Sequence, residues 1–264
     1  MFHRWRNISQ TRGNNGGFTL VELLVVIGVI SILMAILLPA LAAAKRQARS
    51  VACQARLRSI AVGWQAYLFD NDDYFYQGVN ANHNFGGWIG EGGYGLSRPL
   101  NKHLGLPLTI EVKEAAEKYL CPADDGGVIG QPREQLAYNY FGNSYQTNIF
   151  IIGPDKTGGG GKYKELYEQI NRRLTRLRSS GVDDPIHLLL VGDNNWFQQW
   201  YPFYPASILP EEMYWHGYPD HYNMAFLDGR VDSIKIEKGI FVAENNYRIL
   251  PFKELDELAY EVQK

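Results

Sequence analysis

Gly17-Phe18-Thr19-Leu20-Val21-Glu22-Leu23-Leu24-Val25-Val26 marks an abrupt change in the character of the chain. Residues 1–17 are polar and basic, with Arg4, Arg6 and Arg12, whereas no charged residue occurs between Leu23 and Ala44. Phe18 to Leu38 is 21 residues, and at about 1.5 Å per residue a helix of that length matches a hydrocarbon core of roughly 30 Å. The expected division is therefore a leader over 1–17, a membrane-spanning helical half over 18–40, an amphipathic half over 41–70 and a globular domain over 71–264. Glu22 is out of place in this apolar run. A carboxylate there costs about 2–3 kcal/mol and calls for a counter-charge. A cut between Gly17 and Phe18 creates one, because the new α-amine of Phe18 on a neighbouring identical chain can neutralise Glu22. The plainer alternative is a carboxylate snorkelling to the interface.

The same residues resemble the N-terminal signal of type IV prepilins and type II secretion pseudopilins. In that family a membrane aspartyl peptidase cuts after the glycine and methylates the new N-terminal phenylalanine. Gly17 and Phe18 are then the processing pair, Glu22 the fifth mature residue, and Pro39 stands where members often carry a helix-kinking proline. The resemblance implies assembly with like or related subunits in a filament, a prepilin peptidase, an assembly ATPase and an inner-membrane platform protein. It also implies a single-pass chain with its N-terminus cytoplasmic and its domain periplasmic. Two other readings compete. Leu38-Pro39-Ala40-Leu41-Ala42 looks like a secretory cleavage site, though the apolar core is long for one. Lys45, Arg46 and Arg49 rival the three leader arginines under the positive-inside rule, and the motif decides the orientation.

Beyond Pro39, Leu41, Ala44, Ala48, Val51 and Ala55, then Leu57, Ile60, Ala61, Trp64 and Leu68, recur at helical spacing. The helix is expected to run from Phe18 to about Phe69. Lys45, Arg46, Arg49, Arg56 and Arg58 read as its solvated face. With a net charge of −2 the chain has no global field for nucleic acid, and no nucleic-acid partner is expected. The fold class is α+β: the long helix packed on a small antiparallel sheet with long loop insertions. Ile186–Val191 reads as a buried strand, Asp228-Gly229 as a hairpin turn between Asn223–Leu227 and Arg230–Ile236, and Leu255, Leu258 and Val262 as a final amphipathic helix.

No residue stands out as catalytic: there is no Gly-x-Ser-x-Gly element and no cysteine with a base placed by motif. No cofactor is expected. Asp70-Asn71-Asp72-Asp73 offers calcium-type oxygens without the spacing of a calcium loop, and a helix-ending turn is the better reading. Asp193, His216, His221 and Asp228 are weak metal candidates without diagnostic spacing. Cys53 and Cys121 permit one bridge in an oxidising compartment, or a helix cysteine that is simply buried. The order Cys121-Pro122-Ala123-Asp124, a strand ending in Asp193, His216 and Asp228-Gly229 resembles pilin-like proteins with a His-x9-Asp-Gly element. Here, however, eleven residues separate His216 from Asp228. Trp196, Trp200 and Trp215 lie in an aromatic, proline-punctuated segment over 196–222 expected to lack regular structure. It is either packing or a ligand surface, and the latter makes a membrane-anchored carbohydrate-binding protein the rival function.

Overall fold

The computed structural model describes residues 19–77, 83, 85–92, 98–152, 161–174, 177–202 and 213–264. Gly17, Phe18 and residues 203–212 of the aromatic segment lie outside the described residues. The chain forms two compact units, Met1–Lys45 and Arg46–Lys264, and helix α1 (Leu20–Asp70) runs from the first into the second. Pro39 lies inside α1, where its missing N–H deprives one carbonyl of the preceding turn of its ladder partner. In the first unit the large apolar side chains from Leu20 to Leu41 are exposed; Leu20 is 75% exposed and Leu38 64%. Water does not tolerate an apolar surface of that extent, so it marks a membrane or protein contact.

In the second unit α1 turns one stripe inward: Cys53, Leu57, Ile60, Ala61, Trp64, Tyr67 and Leu68 are buried. The stripe advances by three and four residues, the spacing that keeps side chains on one helix face. Val51 and Ala55, expected on that stripe, are exposed. They fall on the other side of the cylinder, because the chain drifts by a residue where small side chains give way to large ones. The helix from residue 46 thus shares the core of the globular unit, which begins earlier than residue 71.

This part of the helix packs on a four-stranded sheet of β1 (Tyr145–Thr147), β2 (Leu189–Asp193), β3 (His221–Phe226) and β4 (Val231–Lys235). Spatial order follows chain order and every neighbouring pair is antiparallel. Polar contacts fix the helix on the sheet: Ser50 Oγ and Gln54 Nε2 lie 3.5 and 2.9 Å from Asn223 Oδ1 on β3. The β3–β4 hairpin turns at the expected Asp228-Gly229. Asp228 Oδ1 accepts the Arg230 N–H at 2.9 Å, and Gly229 takes φ 90°, which only glycine adopts without strain. Gly192 on β2 is needed for a different reason: a Cβ there would occupy the space of the Met224 thioether.

Around the sheet lie α2 (Ala137–Phe141), α3 (Lys164–Leu174), α4 (Trp196–Trp200), α5 (Asp256–Gln263) and the two-residue pair β5 (Val242–Ala243) and β6 (Tyr247–Arg248). One expectation about the aromatic segment is corrected, and of its two alternatives the buried rings fit packing. Trp196–Trp200 is helical, because Pro202 lies past the end of α4 and obstructs nothing before it. Trp196 and Trp200 are fully buried and Trp215 is 9% exposed, so none offers a ligand surface. Each indole N–H is satisfied internally, donating to the carbonyls of Gln146 (3.0 Å), Ile240 (3.0 Å) and Gly126 (2.9 Å). A buried ring with its polar edge paired belongs to the core.

Candidate functional site

Among the described residues, two places bring chemistry together, one in each unit. The first is the start of α1. Glu22 Oε2 accepts the N–H and the hydroxyl of Thr19, both at 2.8 Å, while Thr19 Oγ1 accepts the Glu22 N–H at 3.2 Å. Thr19 precedes the first helical residue, Leu20, so Thr19-x-x-Glu22 forms a reciprocal capping box that satisfies two otherwise orphaned N–H groups. The box uses Oε2 for both of its contacts, and an ionised carboxylate can accept at its second oxygen as well.

The second place is buried. Cys53 comes from α1, Cys121 from the loop after the 3-10 helix Lys113–Tyr119, Asp193 from the end of β2, and His216 from the segment entering β3. Cys53 and Cys121 form a disulfide with Cα atoms 5.1 Å apart. His216 Nε2 lies 3.9 Å from Cys121 Sγ and 3.0 Å from Asp193 Oδ2, which also accepts the Asn223 N–H at 2.8 Å. Asp124 holds the cysteine loop in shape. Its carboxylate accepts the N–H groups of Gly126, Ala137 and Tyr138 and the Ser144 hydroxyl, at 2.7–3.2 Å, and burial pushes its pKa up to about 6.

A model for the prokaryotic N-terminal methylation motif matches residues 12–38, the stretch that contains Gly17, Phe18, the capping box and the exposed apolar turns. A relative from Thermus thermophilus, the type IV wide pilus major component PilA4, is 43% identical over 61 residues. The N-terminal part of the chain is type IV prepilin- or pseudopilin-like. The match covers 23% of this chain and 47% of PilA4, so the prepilin-like chain spans about half the length of that relative. No solved structure matches it.

Of the metal candidates, the structure of this prepilin-like chain brings together Asp193 and His216 alone. His221 and Asp228 lie at opposite ends of β3, His221 Nδ1 donating to the Pro219 carbonyl (2.8 Å) and Asp228 serving the turn. Among the described residues neither belongs to a metal-ligating group with the other two. The Asp70–Asp73 oxygens are likewise dispersed. Asp70 faces Lys102 (3.6 Å) and His103 (3.8 Å), and Asp73 accepts the Ser179 hydroxyl and the Ser180 N–H (2.9 Å), as a helix-ending turn does. The juxtaposition of Cys121 and His216 was not legible from spacing, since they lie 95 positions apart in the chain. The one signal was their shared membership of the second resemblance.

Burial alone disfavours the His216 imidazolium, but the Asp193 carboxylate, as charge and as acceptor, outweighs it and raises the pKa above the ordinary value. The stability this pair contributes is therefore complete below about pH 6.5 and is lost as pH rises through the higher folded value. In denaturant titrations the wild-type chain should lose unfolding free energy above pH 6.5 with a slope that His216→Gln lacks; equal slopes in the two proteins would contradict the pairing.

Proposed function

We propose that the chain is a structural subunit of a type IV pilus-like or type II secretion pseudopilus filament, not an enzyme. Cleavage after Gly17 and methylation of Phe18 produce a chain that starts one residue before the capping box. The observation that carries the reading is the coincidence of the methylation motif over 12–38 with a helix whose apolar side chains from Leu20 to Leu41 are exposed. That surface has two natural environments, a bilayer before assembly and the helices of neighbouring subunits after it. In the filament the free Oε1 of Glu22 takes the Phe18 amine of an adjacent chain, which neutralises the acid and sets the stagger between subunits. The Thr19 box need not open for this, since it occupies Oε2.

The resemblance supplies the remaining machinery: a prepilin peptidase, an assembly ATPase and a platform protein in the inner membrane. The orientation that suits them is N-terminus cytoplasmic and globular unit outside. Without residues 1–17 the chain has 23 basic and 28 acidic residues, a net charge of −5, which keeps an exported face solvated. The rival, carbohydrate binding by Trp196, Trp200 and Trp215, has no free ring among those three. Mechanical shearing of cells followed by electron microscopy with antibody against the globular unit tests the proposal. Labelled fibres are expected, and a chain recovered only as a detergent-extracted monomer overturns it.

A further inference from the structure

Among the described residues, Cys53, Cys121 and His216 are the group of three metal-ligating side chains whose donor atoms all lie within 4.8 Å of one another, and all three are buried. Asp193, only 1% exposed, sets Oδ2 at 3.0 Å from His216 Nε2, and its other oxygen, Oδ1, has no hydrogen-bond partner. A buried carboxylate oxygen left unpaired is costly, and here its carboxylate adjoins the sulfur and nitrogen donors through His216. Four-coordinate zinc-class ions take thiolates at about 2.3 Å and imidazole or carboxylate at about 2.0–2.2 Å. Donors grouped around one such ion are therefore spaced by about 3–4 Å, as are Cys121 Sγ and His216 Nε2 at 3.9 Å and His216 Nε2 and Asp193 Oδ2 at 3.0 Å; Asp193 reaches the sulfurs only by a side-chain shift once they are no longer bonded to each other.

We propose that the reduced chain holds one zinc-class divalent ion through Cys53 Sγ, Cys121 Sγ and His216 Nε2, with Asp193 in the fourth position, so that disulfide and metal are alternative states of one buried site. Reduction adds two electrons and two protons to the disulfide and yields two thiols. With a phosphine as reductant, phosphorus is oxidised to the phosphine oxide, whose oxygen comes from water. The entering ion displaces the two thiol protons and any proton on His216 Nε2, leaving two thiolates, a neutral imidazole and a carboxylate around it. In the disulfide state the sulfurs carry no charge and the ion has no site. The inference goes beyond the filament reading and stands or falls independently of it.

The test uses the full chain in detergent, kept reduced with a water-soluble phosphine and titrated with Co(II). Thiolate-to-cobalt charge-transfer absorption should saturate at one ion per chain and be displaced by Zn(II), while the oxidised chain shows none. His216→Ala should abolish saturable binding, and Asp193→Asn should weaken it by about 10–100-fold. Near-ultraviolet circular dichroism of the reduced wild type should remain native. The inference is overturned if the reduced wild type gives no charge-transfer band or has lost its native fold, a result that needs no variant. A band that His216→Ala leaves unchanged overturns it equally.

Discussion

Glu22→Ala inserts into the membrane and loses its leader as the wild type does, yet enters no filament. Two separable effects stand behind that expectation. Alanine removes the carboxylate that answers the Thr19 N–H and hydroxyl, a cap contact whose loss costs about 1 kcal/mol. It also removes the negative charge proposed to meet a neighbour's Phe18 amine, and an unpaired ammonium among packed apolar helices costs more than the cap. Glu22→Gln separates the two. Glutamine serves the third helical position of a capping box but brings no charge, so Gln should fail to assemble as completely as Ala. Quantifying sheared fibres from the three strains decides the matter. Assembly by the Gln variant at the wild-type level would show that the cap, not the charge, is what the filament requires.

The second large effect is on the stability of the globular unit. The Cys53–Cys121 bridge spans a sequence separation of 68 residues and ties the membrane-proximal helix to the loop that Asp124 organises. Constraint of an unfolded loop of that length is worth about 4 kcal/mol. The double replacement Cys53→Ala, Cys121→Ala should therefore lower the urea midpoint of the full chain in detergent by about 1.3–2 M, given a slope of about 2–3 kcal/mol per M. A shift below about 0.3 M would mean that the bridge constrains nothing the sheet does not already hold.

What could be read from the sequence follows from how local each signal is. The apolar run after Phe18, the Asp228-Gly229 turn and the amphipathic end of the chain carry their own periodicity or turn chemistry, and α1, the β3–β4 hairpin and α5 appear where those signals fall. The strand expected over Ile186–Val191 lies at Leu189–Asp193, a displacement that matters because it makes Asp193 the last strand residue and aims it at His216. Tyr145-Gln146-Thr147 gave no warning: three residues buried on both sides show no alternation. The tryptophans left two readings open for a different reason. Amphipathic rings suit either a wet surface or a core with a carbonyl in reach, and sequence does not say where Gln146 O, Ile240 O and Gly126 O will be. The Cys–His–Asp cluster is drawn from four separate parts of the chain, and beyond the order of residues in the second resemblance nothing local in the sequence joins them.

Thr19 and Glu22 show the converse, a role hidden in plain view. Thr-x-x-Glu before an apolar run is the local signature of a helix start, but the acid's position in lipid drew attention to a partner on another chain. The structure gives Glu22 a partner three residues away on its own, and the intermolecular pairing then falls to the remaining oxygen.

Everything proposed about assembly requires that Phe18 become a free, modified N-terminus. Intact-mass and N-terminal peptide analysis of the protein recovered from the cell envelope addresses this directly. A chain that begins at Phe18 and carries one added methyl group is the expected product; one that still begins at Met1, or begins at Ala43, contradicts it.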